Sequence, residues 1–412
     1  MVLDTISRCH QHGIGVLVDF HALPGGANGD SHSGVSTGKA ELWSHKHNLD
    51  LALECLRFLA VELRPLPNIT GLQLVNEAQW AAPGMFKFYD NAIDLIASID
   101  PTIPIYISDG WNLNEAITYC RQKNNVNTSL MRNPVIIDTH KYFTFTEKDR
   151  AKSPQEIIQE VRNSQLSELN PHTTKAGNVF DNSTAIGVFI GEYSVTLDGR
   201  TWSRTPSAAS NRKDLTRQFG HAQSELYINK AIGCTFWSYK FDWEGHQPGR
   251  RGMVHTGGGD WGFRTQVDNG NIFAPRVMVV TRGEIGSGVQ RATRQARQGR
   301  RDKAVGEQTG YWSQTTPGGE FKYDLYGHGW DLGWDDADAF FSSRFHGRIP
   351  VTKFNGMGDG DWLGGDFIGA LDLWVMKRMA ECGMQKQREK CGWGWEQGFR
   401  RGLADFREVA GC

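Results

Sequence analysis

Six short runs rich in β-branched and aliphatic residues, each leading into a helical pattern instead of a hairpin turn, constrain this chain more than any other feature. They are GVLVDF (15–20), GLQLV (71–75), IPIYIS (103–108), VIIDT (135–139), AIGVFIG (185–191) and CTFWSY (234–239). Between them apolar residues recur at three-and-four spacing: Leu49, Ala52, Leu56, Leu59 and Leu63, then Phe86, Tyr89, Ile93 and Ile96, then Leu215, Phe219, Ala222 and Leu226. That spacing is one face of a helix. Strand runs alternating with helical faces predict parallel strands joined by crossover helices.

The residues at the C-terminal end of each run narrow the choice further. Asp19 and His21 close the first, Asn76 and Glu77 the second, Asp109, Trp111 and Asn112 the third, His140 and Tyr142 the fourth, Glu192 and Tyr193 the fifth. Trp237 sits within the sixth. A doubly wound sheet gathers such groups at one switch point, whereas a closed barrel turns every strand end toward one mouth. The expected fold is therefore α/β, a (β/α)8 TIM barrel, here incomplete at about six βα units. The chain opens on a helical pattern with Val2, Ile6 and Cys9 on one side, which leaves the first two units unaccounted for.

The barrel is expected over residues 1–275. After it the pattern changes: RGEIGSGVQRATRQARQGRRDK (282–303) is poor in apolar residues, with Arg291, Arg294, Arg297 and Arg300 at every third position. Composition predicts a basic, disordered linker over 276–318. A helical extension is expected over 319–412, where GWDLGW (329–334) and GFRRGL (398–403) place glycines four apart, a spacing that lets helices approach closely.

The bulk numbers exclude several classes of function. With 45 Lys+Arg against 46 Asp+Glu the net charge is −1, so no nucleic-acid partner is expected. No apolar run has the length of a membrane span, and the opening residues lack the regions of a secretory signal. Seven cysteines without a CxxC pair signal neither zinc nor a disulfide framework and fit reduced thiols in a cytoplasmic protein. No metal and no cofactor are expected, because HExxH is absent and His10/His12 and His45/His47 are spaced to different helix faces. Oligomeric state is not readable.

Glu77 and Glu192 end separate strand runs, and a barrel would turn both toward the same mouth. Two carboxylates so placed fit cleavage of a glycosidic bond, one donating a proton to the leaving oxygen and the other attacking or stabilising the sugar centre. The 14 tryptophans and 48 glycines suit a site that stacks on flat rings. Trp237, with Trp111, Trp243 and Trp261, can serve as platforms, and Trp80 shapes a rim.

The motifs DFHALPGGANGDSHSG (19–34), LVNEAQW (74–80), THKYFTF (139–145), GEYS (191–194) and FWSY (236–239) resemble glycoside hydrolase family 5, in its fungal exo-β-1,3-glucanase-like branch. The stretches YWSQTTPGGEFKYDLYGHGWDLGWDDADAFF and WEQGFRRGLADF resemble an extension of intracellular fungal members. The resemblance implies a retaining double displacement with Glu77 as acid/base and Glu192 as nucleophile, their carboxyl groups about 5 Å apart. It implies that Asn76 bonds the sugar 2-hydroxyl, that His140 and Tyr142 orient the nucleophile, and that His21 and Trp237 line the subsite of the non-reducing sugar. Tyr142 can donate its phenolic proton to Glu192.

Two departures from the family pattern stand out. Ala78 replaces the proline that usually follows the acid/base glutamate, and no segment supplies the family's second-strand arginine. The expected substrate is a β-glucan or small β-glucoside. Two alternatives stand beside it: a glucolipid or steryl glucoside as substrate, or a catalytically silent, truncated remnant that binds carbohydrate or protein.

Overall fold

In the computed structural model the strand runs become β1 (Val16–Asp19), β2 (Ile69–Gln73), β3 (Ile105–Ser108), β4 (Val135–Lys141), β5 (Gly187–Tyr193) and β6 (Gly233–Phe236). The structure describes all residues except 67, 126–132, 170–178, 180–183, 206–207, 240–258, 274–281, 320, 346–350, 353–361, 364–369, 385–391 and 412. The six strands form one sheet in the order β1-β2-β3-β4-β5-β6. The pairs β1/β2, β2/β3 and β5/β6 are parallel. This is an incomplete (β/α) barrel. Every residue of β3 and all but the last of β4 are buried, Asp138, Thr139 and His140 of β4 among them.

The longer helices are α1 (Val2–Gln11), α2 (Lys46–Leu63), α3 (Met85–Ala97), α4 (Leu113–Lys123), α5 (Pro154–Asn163), α6 (Ala208–Lys230), α7 (Arg282–Arg291), α8 (Arg294–Thr315), α9 (Tyr323–Phe345), α10 (Leu371–Glu381) and α11 (Gly392–Ala410). Among the described residues no helix is long and apolar enough to cross a membrane. The chain divides into two compact units that do not follow chain order. One is Met1–Ile137 with Lys175–Gly187 and Val279–Cys412; the other is Asp138–Thr174 with Val188–Met278.

In the first unit the helical spacing read from sequence is the buried face: α2 buries Ala52, Leu56, Ala60 and Leu63, and α3 buries Tyr89, Ile93 and Ile96. Two buried asparagines tie loop backbone to this core. Asn68 Nδ2 donates to the carbonyls of Ile6 (2.9 Å) and Ile14 (3.2 Å), which seats α1. Asn124 Nδ2 donates to the carbonyls of Val135 (2.8 Å) and Ala185 (3.1 Å), while its Oδ1 accepts from the Val135 N–H (2.9 Å). Each satisfies backbone groups that burial would otherwise leave unpaired.

The second unit packs α5 and α6 around Phe143, Ile157, Val161, Val195, Trp202, Leu215 and Phe219. Two capping boxes, Thr146 with Asp149 and Ser153 with Glu156, set the starts of its helical segments, and Pro154 occupies the first turn of α5.

The stretch expected to be a disordered linker is helical instead. Residues 276–281 lie outside the described residues, but 282–291 and 294–315 are α7 and α8, which pack on α9 and α11. The arginines that gave this stretch its solvated look are paired with distant acids: Arg297 with Asp335 (2.6 Å), Arg301 with Asp331 (2.9 Å) and Arg300 with Glu408 (2.8 Å). Arg291 donates to the carbonyl of Ala410 at the end of α11 (2.8 Å). Composition predicted disorder because the partners lie 30 or more residues away in the chain.

The glycines at four-residue spacing form the crossing of α9 and α11. A Cβ on Gly329 or Gly333 would come within 2.1 Å of the carbonyl oxygen of Trp395 or Phe399, and one on Gly398 or Gly402 within 2.1 Å of that of Tyr326 or Trp330. The two backbones are in contact, with Trp330 and Trp334 stacked at 5.1 Å on one helix and Trp395 and Phe399 at 5.4 Å on the other. Gly402→Ala is expected to destabilise the chain by about 1–3 kcal/mol through overpacking. Gly306→Ala, in α8 with nothing within 4 Å of its added Cβ, should be neutral or stabilise by up to about 1 kcal/mol. Urea midpoints of the two variants, measured on the whole chain, check the contrast.

Candidate active site

In the first unit β1, β2 and β3 end side by side, with Asp19 aligned to Gln73 and Gln73 to Tyr106. Just past those ends lie His21, Asn76 and Glu77. His21 Nδ1 is 2.6 Å from Asp19 Oδ2, and its Nε2 is 3.4 Å from Nδ2 of the buried Asn76. The carboxylate thus fixes one ring nitrogen of His21 and turns the other toward the amide. Glu77 takes a left-handed backbone, φ 45°, and its side chain is 14 % exposed. A left-handed glutamate is strained and persists only where its surroundings hold it. Asn28 Nδ2 does so, donating to the Glu77 carbonyl at 2.8 Å, and Ser108 Oγ accepts the next N–H, that of Ala78, at 3.1 Å.

The carboxyl of Glu77 meets a histidine: His32 Nε2 is 3.3 Å from Glu77 Oε2. Trp111 also has a left-handed backbone, φ 64°, and both it and Trp80 are exposed.

In the second unit Tyr142 Oη donates to Glu192 Oε2 at 2.7 Å, and His140 Nδ1 lies 3.6 Å from the same oxygen. The other nitrogen of His140, Nε2, is 3.1 Å from Oδ2 of Asp138, which is buried. Aspartate, imidazole and carboxylate form a short relay of fixed groups, and the Glu192 side chain keeps 15 % of its surface open. A phenol that donates to a carboxylate favours its ionised form and fixes the direction of its lone pairs. The adjacent Tyr193 plays no such part. It packs against Tyr227 and Phe236, and burial pushes its phenol well above the ordinary range.

Trp237 comes directly after β6, is 42 % exposed, and is anchored by its N–H to the carbonyl of Tyr193 at 2.9 Å. The ring of Tyr142 packs against Phe145 (5.3 Å) and Trp261 (5.8 Å), which lie 5.9 Å from each other. Trp243 lies outside the described residues.

From sequence all of these residues are expected at one mouth; within the first unit His21, Asn76 and Glu77 lie together, and within the second His140, Tyr142 and Glu192 do. Asn28, His32, Asp138 and Phe145 are not singled out by sequence. Asp138 lies inside a β run and Asn28 and His32 inside a loop of mostly small residues, so spacing carries no signal for them. A second signal was nonetheless present: Gly191, where a Cβ would lie 2.0 Å from Asp138 Oδ1, is the space the buried acid needs. Gly191→Ala is expected to push Asp138 off His140 and to destabilise by about 1–3 kcal/mol. Thermal unfolding of that variant beside Gly299→Ala, whose Cβ meets nothing, checks it.

Residues 293–410 match the family described as Glucan 1,3-beta-glucosidase 3 C-terminal domain. Among curated proteins, glucan 1,3-beta-glucosidase 3 of Schizosaccharomyces pombe is 29 % identical over 350 residues, covering 85 % of this chain and 65 % of the relative. An uncharacterized glycosyl hydrolase of Saccharomyces cerevisiae is 26 % identical over 410 residues, covering 98 % of this chain and 68 % of its own length. The chain thus spans about two thirds of the length of these relatives. Among solved structures, an endoglucanase of Pseudomonas stutzeri in complex with cellobiose is similar at a TM-score of 0.39 and 17 % identity, over 65 % of this chain and 70 % of that one. Residues 293–410 thus resemble the C-terminal domain of glucan 1,3-beta-glucosidase 3, and the chain is similar along most of its length to a glucan 1,3-beta-glucosidase and to an uncharacterized glycosyl hydrolase.

Proposed function

We propose that the chain acts as a retaining β-glycoside hydrolase of the β-glucosidase or exo-β-1,3-glucanase type. Glu192 attacks the anomeric carbon, forming a C1–O bond to its carboxylate as the bond to the aglycone breaks. The proton carried by Glu77 goes to the departing oxygen. In the second step Glu77 takes a proton from water, whose oxygen displaces Glu192 and restores the starting configuration. Asn76 bonds the 2-hydroxyl, while His21 and Trp237 line the subsite of the non-reducing sugar.

The observation that carries this reading is the 2.7 Å bond from Tyr142 to Glu192, backed by His140 and the buried Asp138. A nucleophilic carboxylate needs a fixed lone pair, and a phenol donating to one of its oxygens supports that role for Glu192. The names of the relatives support a β-1,3-linked glucan as substrate. The uncharged amide and indole groups of Asn76 and Trp237 suit a neutral sugar.

An activated 2-deoxy-2-fluoro-β-glucoside separates attack from turnover. Incubation is expected to add one fluoroglucosyl mass to the peptide containing Glu192, and Glu192→Gln to abolish the adduct. Glu77→Ala should keep the labelling but lower turnover of unactivated glucosides by about 10²–10⁴-fold, while azide, which needs no base to attack the glycosyl-enzyme, should restore part of the turnover of an activated glucoside. A folded chain that never labels, or that labels elsewhere, would refute the proposal.

A further inference from the structure

We propose that His32 is the positioning residue of Glu77: held on a loop braced to the Glu77 backbone, it fixes the orientation in which that carboxyl donates its proton. The inference rests on the reading of Glu77 as acid/base and goes beyond it, since His32 lies within the 19–34 motif but is given no role by it.

The loop from Ala27 to Gly34 is built for rigidity. Asn28 Oδ1 accepts from the Asp30 N–H at 2.9 Å, and the buried Ser33 hydroxyl lies 2.8 Å from the carbonyls of both Asn28 and Asp30. Gly34, at φ 92°, closes the Ser31–Ser33 turn. The loop is then fastened to the segment that carries the acid. The Ala27 carbonyl accepts from the Gln79 N–H (3.0 Å) and from Trp43 Nε1 (2.8 Å), and Asn28 holds the Glu77 carbonyl. A loop fixed at residues 27 and 28 to residues 77 and 79 delivers the His32 ring to a set place. That place is 3.3 Å from Glu77 Oε2, with Asp30 Oδ2 at 3.7 Å and the His21 ring 5.7 Å away.

A glutamate has three rotatable side-chain bonds, so a catalytic acid on a strand end must be restrained or it presents its proton only part of the time. The backbone of Glu77 is restrained by Asn28 and its carboxyl meets His32, two contacts supplied by one loop. The effect of losing His32 therefore belongs to proton delivery. It should appear where the leaving oxygen needs a proton in the transition state and vanish where it does not.

The test compares His32→Ala, His32→Gln and Glu77→Ala on two aryl β-glucosides, one with a dinitrophenolate leaving group and one with plain phenolate. His32 is 40 % exposed, so its variants are expected to fold, which melting curves confirm. His32→Ala should lower kcat/KM for the phenyl glucoside by about 10- to 100-fold, as a misplaced catalytic group does, and change the dinitrophenyl value by less than about 3-fold. His32→Gln, which offers a donor at similar reach, should recover most of the loss. An equal fall on both substrates, or no fall on either, overturns the inference. Glu77→Ala separates the layers: if it shows the leaving-group dependence and His32→Ala does not, only the inference fails. If Glu77→Ala shows none, or the wild-type chain turns over neither glucoside, the acid assignment fails and the inference with it.

Discussion

Parallel pairing is the constraint on which this structure depends. A strand buried on both faces holds few polar side chains, so polar groups collect toward its C-terminal end, in its last residues or just beyond them. Register then decides which of them meet. In the first unit Leu72 faces Ile105 and Gln73 faces Tyr106, and past those pairs the Ala78 N–H, next to Glu77, reaches Ser108 Oγ. In the second, Phe189 faces Gly233 and Tyr193 faces Phe236, the residues next to Glu192 and Trp237 in the chain. A slip of one residue in either pairing would turn these side chains into the core.

That constraint also explains how much is legible in the sequence. All six strands fall within about three residues of their expected bounds because β-branched runs between helical faces carry a strong periodic signal. The residues at their ends stand out as types out of place: an acid or a histidine where a turn residue would serve. The bounds that moved are informative. β5 runs on to Tyr193, so Glu192 lies within the strand and not after it, and β6 stops at Phe236, which leaves Trp237 just past the strand.

Support is what a sequence hides. Asn28 and His32 act on a residue far off in sequence, and a local pattern cannot show which way a loop folds back; Asp138 acts on His140 two places along its own strand, hidden inside a run that reads as core. The linker expectation failed for the same reason. Arginines at every third position with few apolar neighbours look solvated, and only the return of α9 and α11 past them reveals Asp331, Asp335 and Glu408 as partners. The helix also carries Gly299, Gly306 and Gly310. Three glycines make it a poor helix on its own propensity, so its order comes from these tertiary contacts.

The charges of the C-terminal helices follow from the glycines at their crossing. Where Gly329, Gly333, Gly398 and Gly402 let α9 and α11 touch, the volume they give up is taken by large rings on either side, and Trp330, Trp334 and Trp395 are fully buried there. Two of the buried indoles place their N–H on an acid: Trp330 Nε1 donates to Asp405 Oδ2 at 2.8 Å while Trp374 Nε1, on α10, donates to Asp336 Oδ2 at 2.9 Å. Both aspartates are buried, and a buried carboxylate is stable only when paired. Arg401 meets Asp405 at 2.9 Å and Arg378 meets Asp336 at 2.7 Å, each guanidinium reaching in from a more exposed position. The order is small residue, aromatic, acid, base, each step created by the one before. Arg300, 3.9 Å from Asp405 and 2.8 Å from Glu408, extends that order to α8. A stretch that composition alone would leave in solvent is thereby drawn onto the packed helices.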